Sequence, residues 1–507
     1  MKYFNPFLLL LILTVGITSC EKKEEKIKFT FLQLNDVYEI AALEGGEVGG
    51  MDRVETLHQQ LLKENPNTFM FMAGDFLNPS LIGNIKYEGE RVKGKQMIEV
   101  MNAMNFDLVA FGNHEFDLKE KPLQKRLDNS DFQWIATNLK HVTASQKEAF
   151  YKEKNNTKIK IPKTVIFTVK NKKGTSIKIG FFSATINSNP KPYVEYADFY
   201  EEAKHAVANL KPKTDLVFGL THLKKSQDKM LANMLPEVPL IMGGHEHTNM
   251  LIPVGNSFVA KADANAKTVY VHKFEYNVTT KQLTLNSELV PITSEIASNK
   301  KIAKIIKKWQ VILDKKIEEY SSDAYAVIYH AKTPLNGEDH AVRGEQTNLG
   351  AIITKAMIDA YDEVDGALIN GGSIRLDDQL RGNITGVDIF RVLPFGGSAI
   401  KVKLQGSLLK KVLDFGRIKK GTGAYLQRGN FTYNATSKVW YCSGKEIIDN
   451  KNYTVVFSDY LLKGYDIPFL NPKNSEVLDI FHPKEDALAG DIRRVVINYL
   501  KTVKEEE

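Results

Sequence analysis

The chain has 507 residues, which is too long for one ordinary hydrophobic core, so two or more domains are expected. Apolar residues make up 43% and charged residues 25%, which are the proportions of a soluble globular protein. The net charge of +7 comes from lysines spread along the chain, which excludes one concentrated basic block and supports only a mild preference for anionic ligands. No nucleic-acid polymer and no protein partner is inferred.

The first residues are predicted to be a signal peptide that is not part of the fold. Lys2 is followed by "PFLLLLILTVGIT", an apolar run too short to span a bilayer comfortably. The ending "ITSC" resembles the lipoprotein box of bacterial lipoproteins, which implies a signal peptide at 1–19, a lipid on Cys20 and a polar tether at 20–26. The protein is then exported and anchored to a bacterial membrane, at the periplasmic face or the cell surface. Plain secretion and an uncleaved anchor are the alternatives.

Only one other cysteine is present. With Cys20 lipidated, Cys442 has no partner for an intrachain disulfide. A single remaining cysteine is more often a small core residue than a nucleophile, and Cys442 is interpreted in that way.

Strands and helices alternate through residues 27–295. Apolar runs such as "NTFMFMAGDF", "FDLVAFGNHEFD" and "VPLIMGGHEHT" end in polar residues, as expected for an α/β or layered αββα domain with its site at the carboxyl ends of strands. Residues 296–320 follow as a linking helix, with Trp309 on its apolar face in a core or interdomain position. A second domain is predicted for 321–507.

Five strand ends of the first domain carry groups that can bind metal ions. They are Asp36 in "LNDVYE", Asp75 in "AGDF", Asn113 and His114 in "GNHEFD", His222 in "LTH", and His245 with His247 in "GGHEHT". Oxygen and nitrogen donors without thiolates suit zinc, manganese, iron or magnesium. These groups outnumber the ligands of one ion, but two ions that share a carboxylate would use them. Such a pair can activate water and hold a phosphoryl group.

The order D-x-H, GD, GNHE, H, GHxH resembles the metallophosphoesterase domain of the 5′-nucleotidase family. The second domain is similar to the C-terminal domain of that family through "TNLG", "NGGSIR", "PFGGSAIKVKLQG" and "SDYLLKGYD". The resemblance implies an α/β (α+β) fold: an N-terminal four-layer αββα metallophosphoesterase domain, a linking helix and a C-terminal α/β nucleotidase domain. It also implies two divalent ions, with zinc, manganese, iron, magnesium and cobalt all open.

The resemblance also implies a role for each residue in the metal centre. Asp75 bridges the two metals, Asp36 and His247 hold one ion, and Asn113, His222 and His245 hold the other. His114 and Asp117 are the catalytic pair, in which the imidazolium stabilises charge on the phosphoryl oxygens and the leaving group. The alternative for Asp117 is a helix cap.

Tyr38 stands where the family's D-x-H motif has its histidine. A phenolate binds ferric iron well, but a tyrosine binds divalent zinc poorly unless it is deprotonated. Tyr38 is therefore a candidate ligand in an iron-containing site, a group behind the ligands, or a filler that leaves one ion more weakly held.

The substrate residues implied by the resemblance lie in the second domain. Arg343 and Arg375 grip the phosphate, and guanidinium groups suit that task because they bind two oxygens at once. Asn370 lies near the base and ribose, and Tyr425 stacks on the base. Phe469 replaces the second aromatic, since "KGYDIPF" stands where the family has "GGDGF". A packing role is the alternative for Tyr425.

The function predicted on this basis is a metal-dependent phosphohydrolase that removes phosphate from nucleoside 5′-monophosphates. A metal-activated hydroxide attacks in line, and the nucleotide lies across the domain boundary. Hydrolysis of nucleotide sugars or cyclic nucleotides would use the same metal centre. The alternative from another class is a non-catalytic surface binding lipoprotein on a nucleotidase scaffold. Tyr38 and the altered "GYDIPF" favour that alternative, whereas the intact "GNHEFD", His222 and "GGHEH" oppose it.

Overall fold

The computed structural model describes residues 25–188, 190–318, 324–376 and 378–503. The predicted signal peptide, Cys20 and most of the tether lie outside the described residues. Within these ranges, no helix is both long enough and apolar enough to cross a membrane.

Two six-stranded sheets form the centre of the N-terminal domain. The first has the order Leu283–Pro291, Thr268–Asn277, Lys26–Leu34, Thr68–Ala73, Leu108–Ala110, Gln133–Ile135. The second has the order Thr164–Lys170, Ser176–Thr185, Leu216–His222, Leu240–Gly243, Ser257–Lys261, Met250–Val254. The last four strands of the first sheet are mutually parallel, and so are the second to fifth strands of the other. In each sheet, the carboxyl ends of the four parallel strands therefore lie along the same edge.

Phenylalanine side chains fill the space between the two sheets. Phe31 is fully buried, and its ring centroid lies 5.1 Å from that of Phe218 and 5.7 Å from that of Phe181. Strands buried on both faces need apolar residues at consecutive positions, which explains the continuous apolar run that begins the domain.

Helices cover the outer face of each sheet and complete the four αββα layers that the sequence predicts. Met51–Glu64, Lys95–Met104 and Glu120–Asn129 pack on the first sheet, and Phe199–Leu210 and Lys225–Met234 pack on the second. The predicted linking helix is observed as Lys300–Glu318. Trp309 is fully buried, and its indole N–H donates to Glu99 at 2.9 Å, so this helix packs on the N-terminal domain.

A five-stranded sheet organises the C-terminal domain. Its order is Leu426–Gly429, Gly366–Asn370, Asn452–Ser458, Ala399–Gln405, Val477–Phe481. Its helices are Asp339–Val342, Asn348–Asp359, Gly386–Val392, Gly406–Ile418 and Ile492–Thr502. Val327–Asn336 pairs with Gln379–Thr385, and a three-stranded sheet comprises Phe431–Asn434, Val439–Cys442 and Lys445–Glu446.

Cys442 is buried in the core of this domain, and its thiol donates to the Asp365 carbonyl at 3.3 Å. It is a packing residue, as the sequence indicates.

Candidate active site and metal centre

The ligand-bearing loops meet at one edge of the two sheets. Asp36, Asp75 and His245 each follow a buried parallel strand, and each has a left-handed backbone, with φ of 54°, 57° and 83°. Such φ values are unfavourable for residues with a side chain, by about 1 kcal/mol or more each. The sharp turns they create point the side chains into the site.

Glu115 holds two of these loops in place. Its fully buried carboxylate accepts hydrogen bonds from the backbone N–H groups of four residues at 2.7 to 3.1 Å: Asp75, Phe76, Leu77 and Gly112. Burial and the nearby Asp75 carboxylate raise the pKa of Glu115 to about 7, although the four N–H groups oppose that rise. Sequence reasoning missed Glu115, even though it stands inside the "GNHEFD" motif.

Asp75, His222 and His245 form one candidate metal site. One ligand atom from each lies within 4.8 Å of the others. The Nδ1 atom of His222 lies 2.7 Å from the Ala73 carbonyl, so Nδ1 carries the proton and Nε2 is the atom available to an ion. Asn113 lines the same cavity as His245.

Asp36 and His247 form a second set beside the first. The Oδ1 atom of Asp36 lies 3.3 Å from the Nε2 atom of His247. The other oxygen, Oδ2, accepts from the His245 N–H at 2.9 Å and from the Asn35 amide at 2.8 Å. One carboxylate oxygen of Asp36 is thus held by the protein while the other faces the site.

The hydroxyl of Tyr38 reaches between the two sets. It lies 3.3 Å from the Nε2 atom of His247 and 3.5 Å from the Oδ2 atom of Asp75. The side chain is buried, with only 4% exposed. Tyr38 therefore contacts members of both candidate ligand sets.

These residues fit a divalent ion. Among the described residues, the buried atoms Asp36 Oδ1 and His222 Nε2 have other candidate ligand atoms as their nearest polar neighbours: His222 Nε2 is 3.0 Å from Asp75 Oδ2, and Asp36 Oδ1 is 3.3 Å from His247 Nε2. A buried polar atom without a well-formed hydrogen bond is costly unless it has a ligand. Burial disfavours a charged His222, yet Asp75 and Asp36 raise its pKa to about 9, so these carboxylates favour a cation. Burial and the neighbouring His222 lower the pKa of His245 to about 3, which keeps that imidazole neutral and able to ligate.

His114 and Asp117 lie against each other at the rim of the metal centre. The Nδ1 atom of His114 is 2.8 Å from the Oδ2 atom of Asp117. Burial lowers the pKa of His114, but Asp117 and Asp75 outweigh that effect and raise it above the usual value. The Asn78 amide donates to Asp117 at 2.7 Å. The N-cap position of the next helix is Lys119, two residues after Asp117, so the helix-cap alternative for Asp117 is not favoured by its position.

The two domains enclose a cavity of about 850 Å³ at this site. Its lining includes Asn113, His114, Asp117 and His245 from the N-terminal domain and Arg343, Asn370, Arg375, Phe395, Tyr460 and Asp466 from the C-terminal domain. The four residues named from the N-terminal domain are polar, whereas the C-terminal domain also contributes two exposed aromatic rings, those of Phe395 and Tyr460. The cavity wall thus combines charged groups from both domains with aromatic rings from the C-terminal domain.

The two predicted arginines lie on this cavity. An Nη2 atom of Arg375 is 3.3 Å from both His114 Nδ1 and Asp117 Oδ2, so the C-terminal domain reaches the catalytic pair. Arg343 pairs with Asp339 at 2.7 Å.

Asn370 also lies on the cavity, and it is held by two neighbours. Its amide donates to Asp466 at 2.9 Å, and its carbonyl oxygen accepts from the Ser373 hydroxyl at 2.6 Å. Burial raises the pKa of Asp466 above its usual value. Sequence reasoning missed Asp466 as well, although it stands in the quoted "GYD".

The two aromatic residues predicted to hold a base lie away from the lining of this cavity. Tyr425 is only 3% exposed and accepts a hydrogen bond from the Gln346 amide at 3.2 Å. Phe469 packs edge-on against Phe415, with ring centroids 5.5 Å apart. Neither residue lines the cavity.

Phe395 and Tyr460 are the aromatic residues on the cavity wall, and they are 54% and 37% exposed. Phe395 follows a helix and a short turn. It stands in the "PFGG" segment, which served in the sequence only as a family signature. A sequence pattern does not tell an aromatic side chain that faces a cavity from one that faces a core.

The comparisons with known proteins agree with this arrangement. Residues 29–249 match the calcineurin-like phosphoesterase family, and residues 327–471 match the C-terminal domain of 5′-nucleotidases. The chain is 26% identical to the 5′-nucleotidase of Rattus norvegicus over 476 residues, which cover 83% of this chain and 78% of the relative. It is 26% identical to the 5′-nucleotidase of Homo sapiens over 486 residues, which cover 88% and 78%.

A solved structure has the same two-domain fold. The 5′-nucleotidase precursor of Thermus thermophilus matches with a TM-score of 0.67 at 23% identity, covering 94% of this chain and 96% of that chain. Both domains, in the same order, are thus common to this chain and its relatives. The chain belongs to the 5′-nucleotidase family of metallophosphoesterases, which are phosphoric ester hydrolases.

Proposed function

We propose that the protein hydrolyses nucleoside 5′-monophosphates with the help of two divalent metal ions. The observation that carries the proposal is the position of Arg375. This arginine belongs to the C-terminal domain, yet it lies 3.3 Å from both members of the His114–Asp117 pair. A phosphate bound there would be next to the ligand sets and next to the nucleoside end of the cavity.

One ion would be held by Asp75, Asn113, His222 and His245, and the other by Asp36, Asp75 and His247. When bound, the ions would supply Lewis acidity toward the phosphate and lower the pKa of the attacking water. The short distances between Tyr38, His247 and Asp75 support a position for Tyr38 at or directly behind the Asp36 site.

The His114–Asp117 pair would stabilise the negative charge that develops during phosphate ester hydrolysis. Asp117 keeps the His114 ring oriented through Nδ1 and favours its charged form, so the imidazolium can stabilise negative charge on the phosphoryl oxygens and the leaving oxygen. Arg375 adds a second positive charge beside the same pair. The cavity lies between domains and restricts water around these groups, which strengthens the electrostatic effect.

The nucleoside would occupy the other end of the cavity. Arg343 and Arg375 would contact the phosphate, while Asn370 and Asp466 offer an amide and a carboxyl to ribose hydroxyls or the base. Phe395 and Tyr460 would contact the base, since they are the exposed aromatic rings on the wall.

A second substrate class is favoured by one further feature. A cavity of about 840 Å³ adjoins the same centre and shares five lining residues with the first: His114, Lys224, His245, Asp339 and His340. Lys224, Lys225 and Lys267 lie on its wall. A phosphodiester or pyrophosphate, such as a nucleotide sugar, could place its second substituent there.

The predicted location is also a proposal. A lipid on Cys20 would anchor the enzyme to a bacterial membrane after export, so its substrates would be nucleotides outside the cytoplasm. The short polar segment that follows Cys20 would act as a tether. The fate of a Cys20→Ala variant tests this, because the lipid-free form should be released from membranes.

The proposal is tested by phosphate release from AMP by metal-reconstituted protein. We expect turnover that is lost with a chelator and restored by zinc, manganese or cobalt, and two ions bound per chain by elemental analysis. AMP that binds tightly without any phosphate release from protein carrying both metals would instead support the non-catalytic binding lipoprotein.

A further inference from the structure

A lysine lies buried beneath the metal centre. Lys261 is the last residue of the strand Ser257–Lys261, and it is 0% exposed. That strand is parallel to Leu240–Gly243, which is in turn parallel to Leu216–His222. The ammonium group of Lys261 therefore lies under the carboxyl ends of three neighbouring strands, two of which carry the candidate ligands His222 and His245.

The ammonium group is bonded to the backbone next to both histidines. It donates to the Leu223 carbonyl at 2.6 Å and to the Gly244 carbonyl at 2.7 Å. Leu223 follows His222 directly, and Gly244 precedes His245 directly. The carboxylates of Glu246 and Asp228 also lie within hydrogen-bond distance of the ammonium, so four acceptors share its three N–H donors.

Two carboxylates balance the charge of this lysine. Asp228 is fully buried, and its Oδ2 atom lies 2.8 Å from the Lys261 Nζ, while its Oδ1 atom accepts from the Thr221 hydroxyl at 2.7 Å. Glu246 supplies the second negative charge. Burial disfavours the charged lysine, but these two carboxylates raise its pKa above the usual value.

The packing leaves the lysine little freedom. A Cβ atom added to Gly243 would lie 3.0 Å from the Lys261 Cε and 3.0 Å from the Asp228 Oδ2. The ammonium therefore sits at a fixed distance below the two loops. The rings of His222 and His245 lie above it with centroids 5.3 Å apart.

We propose that Lys261 is a positioning residue that sets the separation of His222 and His245 by binding the Leu223 and Gly244 carbonyls together. This inference rests on the metal centre of the proposed function and adds a determinant of metal affinity. It assigns no direct contact between Lys261 and an ion or a substrate. The ligand in question is a divalent cation at the Asp75, His222 and His245 site.

The test must separate positioning from the cost of an uncompensated buried charge. Lys261→Met alone leaves Asp228 buried without a cation, which can unfold the chain. The informative variant is therefore Lys261→Met with Asp228→Asn, which removes both charges and keeps similar shapes. Lys152→Met is the matched control, because Lys152 also donates to two carbonyls of this domain, those of Phe132 at 2.8 Å and Ser130 at 3.4 Å.

The measurement is titration of the metal-free full chain with Co²⁺, followed by visible absorption and by competition with a chromophoric chelator. Loss of a partner that orients ligands typically costs about 10- to 100-fold in metal affinity. We expect the double variant to lose that factor in one of its two binding steps and to change the Co²⁺ spectrum. The control should keep both affinities and the spectrum, and thermal unfolding should confirm that all variants are folded.

The inference is overturned if the folded double variant binds both ions within twofold of the wild type and gives the wild-type spectrum. It is also overturned if Lys152→Met weakens the same binding step equally. Failure of the wild-type chain to bind any divalent ion would overturn the proposed function itself, so the two failures are distinguishable.

Discussion

Replacement of Phe395 by alanine should separate base recognition from phosphate chemistry. The ring lies on the cavity wall and is 54% exposed, so its loss leaves no large hole in the core. Stacking of an aromatic side chain on a base is worth about 1–3 kcal/mol by alanine substitution. That range corresponds to roughly 5- to 150-fold in catalytic efficiency toward AMP.

The assay compares kcat/KM for AMP with kcat/KM for a phenyl phosphate ester in each variant. The ester has no base and needs only the metals, His114 and the arginines. Phe395→Ala should therefore lower kcat/KM for AMP by roughly 5- to 150-fold relative to kcat/KM for the ester. Arg375→Ala should lower both efficiencies, because the phosphate is common to both substrates. The change in the Michaelis constant for AMP should exceed the change in kcat, since stacking contributes to binding.

Tyr425→Phe is the matched control. It removes only the hydroxyl that accepts the Gln346 hydrogen bond, and it leaves the buried ring in place. The ratio should stay at the wild-type value. An unchanged ratio in Phe395→Ala, or a lowered ratio in Tyr425→Phe, would refute the assignment of the base to the cavity wall.

Three single side chains give further predictions. His114→Ala should lower turnover by roughly 10² to 10⁴ with unchanged metal content, and near-normal turnover would remove its catalytic role. Tyr38→His should tighten the weaker of the two zinc or manganese ions, because a neutral imidazole replaces a phenol beside His247. If the two ions bind with equal affinity and the Tyr38→His substitution changes neither affinity, Tyr38 is not a metal ligand. Burial lowers the pKa of His272 to about 3, so His272→Gln should make the chain less sensitive to acid.

The sign of the His272 effect follows from its two pKa values. The folded chain keeps this histidine neutral, while the unfolded chain binds a proton near pH 6.5, so stability is complete above that pH and falls as the pH drops toward 3. Between pH 7 and pH 5 the loss is about 2 kcal/mol from this group. Urea unfolding of the wild type and of the His272→Gln variant at pH 7 and pH 5 measures this loss of unfolding free energy. An equal loss of unfolding free energy in the wild type and the variant would show that His272 is not its source.

The candidate metal site was predictable because its candidate ligands stand at or just after the ends of strands. A buried apolar run that stops at a carboxylate or an imidazole is a local pattern, and parallel strands bring such ends to one edge. Asp36, Asp75, His222, His245 and His247 are accordingly brought together as the sequence indicates. The layered fold is predictable for the same reason, since it follows from the alternation of strands and helices.

The aromatic residues that line the cavity were not predictable from the sequence alone. Phe395 directly precedes Gly396, and Tyr425 stands two residues after Gly423, so nothing local tells which ring is covered. Burial of Tyr425 depends on Gln346, which lies 79 residues away in the chain. Side-chain direction in a loop is set by tertiary packing, and a single sequence contains no record of it.

The left-handed backbone at Asp36, Asp75 and His245 bears on how the chain has been maintained. Each of these positions would relax if glycine replaced the residue, and the first two also bury a carboxylate that lowers stability unless it is used. Mutations that relieve such local costs are readily available and accumulate when no activity opposes them. A scaffold that had lost hydrolysis and served only for attachment would drift toward the relaxed residues at these three turns. Glycine at any of these three turns should therefore relieve local backbone strain and at the same time remove a candidate ligand.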